Sequence, residues 1–209
     1  MGRYTGPVEK LSRREGVELY LKGLRAINGK SALVRRGPTP PGQHGNRRPN
    51  KPSVFSTQLR AKQLAKRYYG IREKQFRRYV ERAERHAGRT GDELLITLER
   101  RLDNVVYRLG FASTRAQARQ FVGHGHVLVN GRRVDIASYL VRPDDVITFK
   151  ASTPVEPLIR EATELTSGVG PWLQADFDGL TGKVLRFPER REIPSPIEEQ
   201  LIVEFYSRR

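Results

Sequence analysis

Residues 101–134, RLDNVVYRLGFASTRAQARQFVGHGHVLVNGRRV, change hydrophobic period part-way along, and that change limits the folds open to the chain. Leu98, Leu102, Val105, Val106 and Leu109 recur three or four apart, which places them on one face of a single helix. Gly110 is the kind of residue on which such a helix ends. Ser113 or Thr114 can cap a second helix over residues 115–122, with Ala118, Phe121 and Val122 on its buried side and Gly123 and Gly125 at its end. On that helix Arg115 and Arg119, one turn apart, share a different and wetter face. The period then falls to two. Residues 126–129 read as a short strand, Asn130-Gly131 as a tight hairpin turn, and residues 132–134 as the start of the return strand. A turn at 143–145 precedes a third strand at 146–149. The prediction is an α+β chain containing a two-helix unit that runs into a small antiparallel sheet. Arg115, Arg119, His124, His126, Arg132 and Arg133 fall near the corner between helices and sheet. Such a donor-rich basic corner suits phosphate and sugar oxygens.

Charge says where a polyanion would lie. The net charge is +16, and residues 1–90 hold 23 Lys and Arg against 6 Asp and Glu, while residues 91–209 hold 16 against 17. The last 59 residues carry 7 against 10. An excess this strong in one half, released against counterions, points to nucleic acid. No run of about 18 apolar residues is present to span a membrane. The Met-Gly-Arg-Tyr start lacks the apolar stretch of a secretory signal, so a cytoplasmic location is expected. With no cysteine, disulfides and thiolate metal sites are excluded.

Taken in order, residues 1–50 read as a basic extended arm, rich in Arg, Gly and Pro, prone to disorder unless a nucleic acid orders it. A short helix is expected near residues 13–22. Residues 51–98 read as a helical domain, with Ser56 capping a helix over 57–69 and a second helix over 72–87. Tyr68, Tyr69 and Phe76 lie at helical spacing, which favours core positions over stacking on bases. The two-helix and sheet unit spans 99–163, and its helix near 157–165 is followed by short strands at 172–177 and 183–187. Residues 164–209 form a C-terminal segment. There Ile197, Leu201 and Phe205, four apart, predict a final helix.

LDNVVYRLGF at 102–111, GHGH at 123–126 and VNGR at 129–132 resemble the family of the fourth protein of the small ribosomal subunit, as do Arg3-Tyr4, PPGQHG at 40–45 and the closing residues. The resemblance implies a non-enzymatic RNA-binding protein with the two-helix and sheet module inserted into a mainly helical N-terminal domain, to which the tail returns. It implies binding to 16S rRNA at a helix junction of the 5′ domain, nucleation of the subunit body, proximity to incoming mRNA, and a part in translational accuracy with the fifth and twelfth small-subunit proteins. Some members hold the arm with four cysteines around a metal. The matching positions here, Glu9, Ser12, Ala26 and Ser31, leave no such ligand set, so the metal-free form, without cofactor, is expected.

The candidate RNA contacts are then Arg3, Tyr4, Arg13, Arg14, Arg35, Arg36, Gln43, His44, Arg47 and Arg48 in the arm, and Lys62, Lys66, Arg67, Lys74 and Arg77 on the helices. In the module they are Arg115, Arg119, His124, His126, Asn130 and Arg132. Glu192, Glu198, Glu199 and Glu204 repel phosphate and are expected to face a basic neighbour, chiefly the fifth protein. Arg101-Leu-Asp103 echoes the catalytic triplet of pseudouridine synthases. Asp103 sits on a regular amphipathic helix, however, and is expected to make a structural ion pair with Arg100 or a neighbour. His124 and His126 lack the carboxylates that would complete a metal site.

Overall fold

The computed structural model describes residues 2, 4–47, 51–166 and 168–207. The chain forms two compact units, residues 1–94 with 195–209, and residues 95–194.

In the first unit, helix α4 (Val54–Tyr68) begins at Ser53, whose extended backbone lets its hydroxyl accept the Ser56 amide N–H at 3.2 Å. Ser56, the expected cap, lies inside the helix. Helix α5 (Glu73–Ala83) turns Phe76, Tyr79, Val80 and Ala83 inward. The C-terminal helix (Glu199–Ser207) lies along α4 with Ile202 and Tyr206 buried, the Tyr206 ring 6.4 Å from that of Phe76. Tyr68 and Tyr69 are buried and meet edge to face at 5.1 Å, so they and Phe76 are core residues. The described part of the arm is not an extended strand. It carries α1 (Glu9–Glu15), α2 (Leu24–Ile27) and α3 (Ala32–Arg36), with Leu19 buried and α1 against α3 and α4. The Ser31 hydroxyl caps α3 by accepting the Val34 amide N–H at 3.3 Å. Helices of four to seven residues are too short to show a period, which is why the pattern of the arm reads as irregular. The helix expected at 13–22 starts earlier and stops at Gly16, whose φ of 70° ends it.

The second unit contains α7 (Leu102–Arg108), α8 (Arg115–Gly123) and α9 (Glu156–Glu164) with five antiparallel strands. These are β1 (Val127–Val129), β2 (Arg132–Arg133), β3 (Val146–Phe149), β4 (Leu173–Asp176) and β5 (Thr181–Val184), in the order β2-β1-β3-β5-β4. Leu102, Val106, Leu109, Phe111, Phe121, Val122, Val127, Ile147, Trp172 and Val184 form one core. The β4–β5 hairpin adds to the module's sheet through the pair Ile147↔Gly182, so strands assigned to the returning tail belong to the module, and only residues 195–209 return. A Cβ on Gly182 would lie 2.4 Å from Leu109 Cδ1; that close approach of strand to helix requires glycine.

The single helix expected through residues 98–109 is broken. Helix α6 (Thr90–Glu99) ends, and Arg101 adopts extended backbone (φ −66°, ψ 135°) before α7 begins. The loop at 137–140 takes over the hydrogen bonds of the break: Leu102 N–H donates to Tyr139 O at 2.8 Å and Asp103 N–H to Ala137 O at 3.3 Å. Arg101, fully buried, donates from Nε and Nη2 to the Asp103 carboxylate at 3.0 and 2.6 Å. Asp103 is therefore paired with Arg101, with Arg119 3.6 Å away, and no apolar spacing could show it. Gly110, at φ 84°, closes α7 as expected.

Removing the acid alone leaves the Arg101 guanidinium buried without its carboxylate. Asp103→Ala should destabilise the second unit by about 3–5 kcal/mol. Trp172, the one tryptophan of the chain and buried in that unit, reports this by fluorescence during urea unfolding. A change below about 1 kcal/mol would mean that the pair does not hold the break.

Candidate nucleic-acid interface

The basic residues of the module separate into two sets. Thr114, not Ser113, caps α8, its hydroxyl accepting the Gln117 N–H at 3.1 Å, and this fixes where the arginines of that helix point. Arg115 is 8% exposed, so the wetter face expected for it is not found. Its Nε donates to Asn104 Oδ1 at 2.8 Å and its guanidinium covers the Tyr107 ring at 4.4 Å. Asn104 Nδ2 donates to Glu99 Oε2 at 2.6 Å, and Arg108 grips the same carboxylate with Nε and Nη2 at 2.8 and 2.7 Å. Arg119, half-buried, stands 3.6 Å from Asp103. Asn130 is a turn residue at φ 51°, its amide donating to Asp145 Oδ1 and its carbonyl oxygen accepting the Val146 N–H, both at 2.9 Å. These side chains build the module.

The other set faces solvent. His124, Arg132, Arg133 and Lys150 are exposed, and His126 is half-buried. The register Val127↔Phe149 places Lys150 opposite His126, and the Lys150 N–H donates to the His126 carbonyl at 2.9 Å. Pairing the two predicted strands would have found Lys150, which residue type alone did not. The Arg133 guanidinium lies over Gly125, where a Cβ would come within 2.2 Å of its Nε, and Gly125 has φ 74°. His126 Nδ1 is 3.0 Å from Thr153 Oγ1. Burial first, and then the nearby His124, Lys150 and Arg133, push the His126 pKa down, which favours its uncharged imidazole. The corner thus offers three cations and two imidazoles, with no carboxylate among the described residues hydrogen-bonded to the imidazoles.

The first unit divides in the same way. Lys62, 7% exposed, meets Glu73 at 3.1 Å and lies over the Phe205 ring at 4.3 Å. Lys66 meets Glu73 at 2.6 Å, and Arg67 pairs with the buried carboxylate of Glu15. Arg77 pairs with Glu81 on the surface at 3.0 Å, a contact that contributes little. Lys74, Arg78 and Arg82 repeat every four residues on the exposed face of α5, and none pairs with a described carboxylate. Arg14, Arg35, Arg36, Gln43, His44 and Arg47 are exposed on the arm, and Arg13 is half-buried. Arg3 and Arg48 lie outside the described residues.

Comparison with known proteins agrees with this division into a helical unit and a module. The Ribosomal protein S4/S9 N-terminal domain family matches residues 3–99 and the S4 domain family residues 100–147. Small ribosomal subunit protein uS4A of Symbiobacterium thermophilum is 57% identical over 209 residues, and uS4 of Thermus thermophilus is 55% identical over 210, each covering the full length of both chains. The uS4 of Kosmotoga olearia is 54% identical, again end to end. The chain belongs to the uS4 family of ribosomal proteins. The relatives in the uS4 family are ribosomal structural proteins and not enzymes, in keeping with an Asp103 locked against Arg101.

Within this uS4 chain, Glu9, Ser12, Ala26 and Ser31 gather around a cavity of about 10 Å³, room for about one water. Glu9 is 3.6 Å from Arg25, and no group of three or more His, Cys, Asp or Glu among the described residues is placed to hold a metal ion. The acidic residues fall in both units. Glu192 in the second is held by hydrogen bonds from Arg186 and the Glu189 backbone, which bring its pKa down to about 2. In the first, Glu204 accepts from Gln58 Nε2 at 2.8 Å, Glu199 is half-buried against Gly91 and Glu198 is exposed.

Burial pushes the Glu73 carboxyl up, but hydrogen bonds from Lys66, Tyr206 and Lys62 outweigh it and hold its pKa at about 2, below the unfolded value of 4.5. The stability this contributes is present above about pH 4.5 and is lost as pH falls toward 2. Glu73 is half-exposed, so the effect is screened. Glu73→Gln should flatten the acid dependence of unfolding of the first unit between these pH values, read by chemical shifts of its amides. Parallel pH curves for the two proteins would contradict the assignment.

Proposed function

We propose that this chain binds 16S rRNA as a structural constituent of the small ribosomal subunit in the bacterial cytoplasm. The observation that carries this reading is the sorting of its cations. Arg101, Arg108, Arg115 and Lys62 are committed to acids, an amide and rings of the protein itself, whereas Arg132, Arg133 and Lys150 at the module corner, and Lys74, Arg78 and Arg82 on α5, face solvent. Exposed cations without a protein acid beside them suit phosphates, whose neutralisation releases counterions. His124 and His126 add ring-nitrogen hydrogen bonding for sugar or base edges. Family membership supports the finer reading: a junction of the 5′ domain as target, early binding that nucleates the subunit body, and closeness to incoming mRNA. It also supports an effect on accuracy, with Glu198, Glu199 and Glu204 toward the fifth small-subunit protein, the twelfth acting in the same process, and Glu192 contributing from the second unit.

Replacing Arg132, Arg133 and Lys150 together by Ala tests the corner. Affinity for a 5′-domain rRNA fragment should fall, and the slope of log affinity against log salt should become shallower by about 2, at roughly 0.7–0.9 per phosphate contact. The Trp172 unfolding midpoint should not move, because none of the three belongs to the core. Unchanged rRNA affinity would remove the corner from the interface, and equal binding of duplex DNA at the same salt would replace RNA by nucleic acid in general.

A further inference from the structure

In the first unit an open cavity of about 510 Å³ lies between residues 4–6 and the junction of α4 with α5. Tyr4 projects its ring there, 54% exposed and braced against Gly6, where a Cβ would come within 2.6 Å of the Tyr4 hydroxyl. Ile71 supplies buried apolar floor, and Gly70, at φ 64°, turns the chain at the rim. Gln63 lines the same cavity, and its side-chain amide makes no hydrogen bond to a described residue. Arg72 stands exposed on the other side and pairs with no described carboxylate, while Lys66 is engaged by Glu73. An exposed aromatic plane, an unengaged amide with both donors and acceptor, and an uncommitted guanidinium are three different chemistries converging on one space.

We infer that this cavity receives a single unstacked nucleotide of the bound RNA. The base stacks on Tyr4, the Gln63 amide reads its hydrogen-bonding edge, and Arg72 holds the adjoining phosphate. The volume exceeds what one nucleotide fills, leaving room for the sugar and for water. Base stacking on an aromatic and hydrogen bonding to an exposed edge are the means by which proteins read single-stranded RNA, while duplex bases are inaccessible to them. A phosphate alone would need neither Tyr4 nor Gln63, and a peptide without a carboxylate would leave the Arg72 guanidinium without an anion. The inference rests on the RNA-binding reading above and adds a base-recognising subsite in the first unit, separate from the corner of the module.

Stacking and phosphate contact differ in their salt signature, and this makes the inference testable on the full chain with a 5′-domain 16S rRNA fragment. Tyr4→Leu should weaken binding about tenfold with an unchanged slope of log affinity against log salt, because a stacked base releases no counterion. Tyr4→Phe keeps the ring and should bind as the parent chain does. Arg72→Ala should lower the slope by about 0.7 to 0.9. Photocrosslinking with 4-thiouridine distributed through the fragment should give an adduct on a peptide containing Tyr4 or Gln63, lost on competition with unlabelled fragment. Full affinity of Tyr4→Leu, or a Tyr4→Phe protein as weak as Tyr4→Leu, overturns the stacking role. Tight rRNA binding by the parent chain together with no adduct at this cavity overturns the subsite and leaves the RNA-binding reading in place, whereas failure of the parent chain to bind any fragment overturns that reading itself.

Discussion

The second unit depends on two buried acids. Glu99 closes the end of α6 and receives Asn104 and Arg108, with Arg115 linked through Asn104. Asp103 opens α7 and receives Arg101, with Arg119 at its edge. Between these acids the helix is broken at Arg100 and Arg101, and the 137–140 loop enters to take the freed backbone bonds. Each buried charge is tolerable only because its partner is fixed. Through Asn104 the same network ties α8 to α7 by the Arg115 hydrogen bond.

A consequence is that basic residues in this chain do two unlike kinds of work. Arg101, Arg108 and Arg115 act within the second unit and Lys62 within the first, their charges cancelled at distances of 2.6–3.1 Å or bonded to a neutral amide at 2.8 Å. Arg132, Arg133, Lys150, Lys74, Arg78 and Arg82 project into solvent, where their uncancelled field attracts a polyanion. The net +16 therefore understates how local the attraction is, since part of the basic complement is internally neutralised.

Much of this architecture is legible in the sequence because hydrophobic period is a local property. The helix over 115–122, the turn at Asn130-Gly131, the third strand and the final helix all follow from spacing and turn residues. What sequence could not show is pairing at a distance. The β4–β5 hairpin reads as two strands but does not say that β5 lies beside β3. Arg115 and Arg119 look alike on a helical wheel, yet Arg115 meets Asn104, a residue on another helix, while Arg119 stands beside Asp103. Lys150 enters the corner through the β1–β3 register, and Lys62 leaves the candidate surface through Glu73, eleven residues on. The arm shows the same limit from the other side, since α1 packs on α3 and α4 and helices this short have little stability of their own.

The division of cations between fold and partner is most directly tested by the reactivity of each arginine toward phenylglyoxal, measured residue by residue by mass spectrometry with and without a bound 5′-domain rRNA fragment. Arg101, Arg108 and Arg115 should resist modification in both states, because the fold already shields them. Arg78, Arg82, Arg132 and Arg133 should react readily in the free protein and become protected on binding. If Arg101 or Arg115 reacted in the free protein and was protected only by RNA, or if the exposed four stayed equally reactive in the complex, the account would be contradicted.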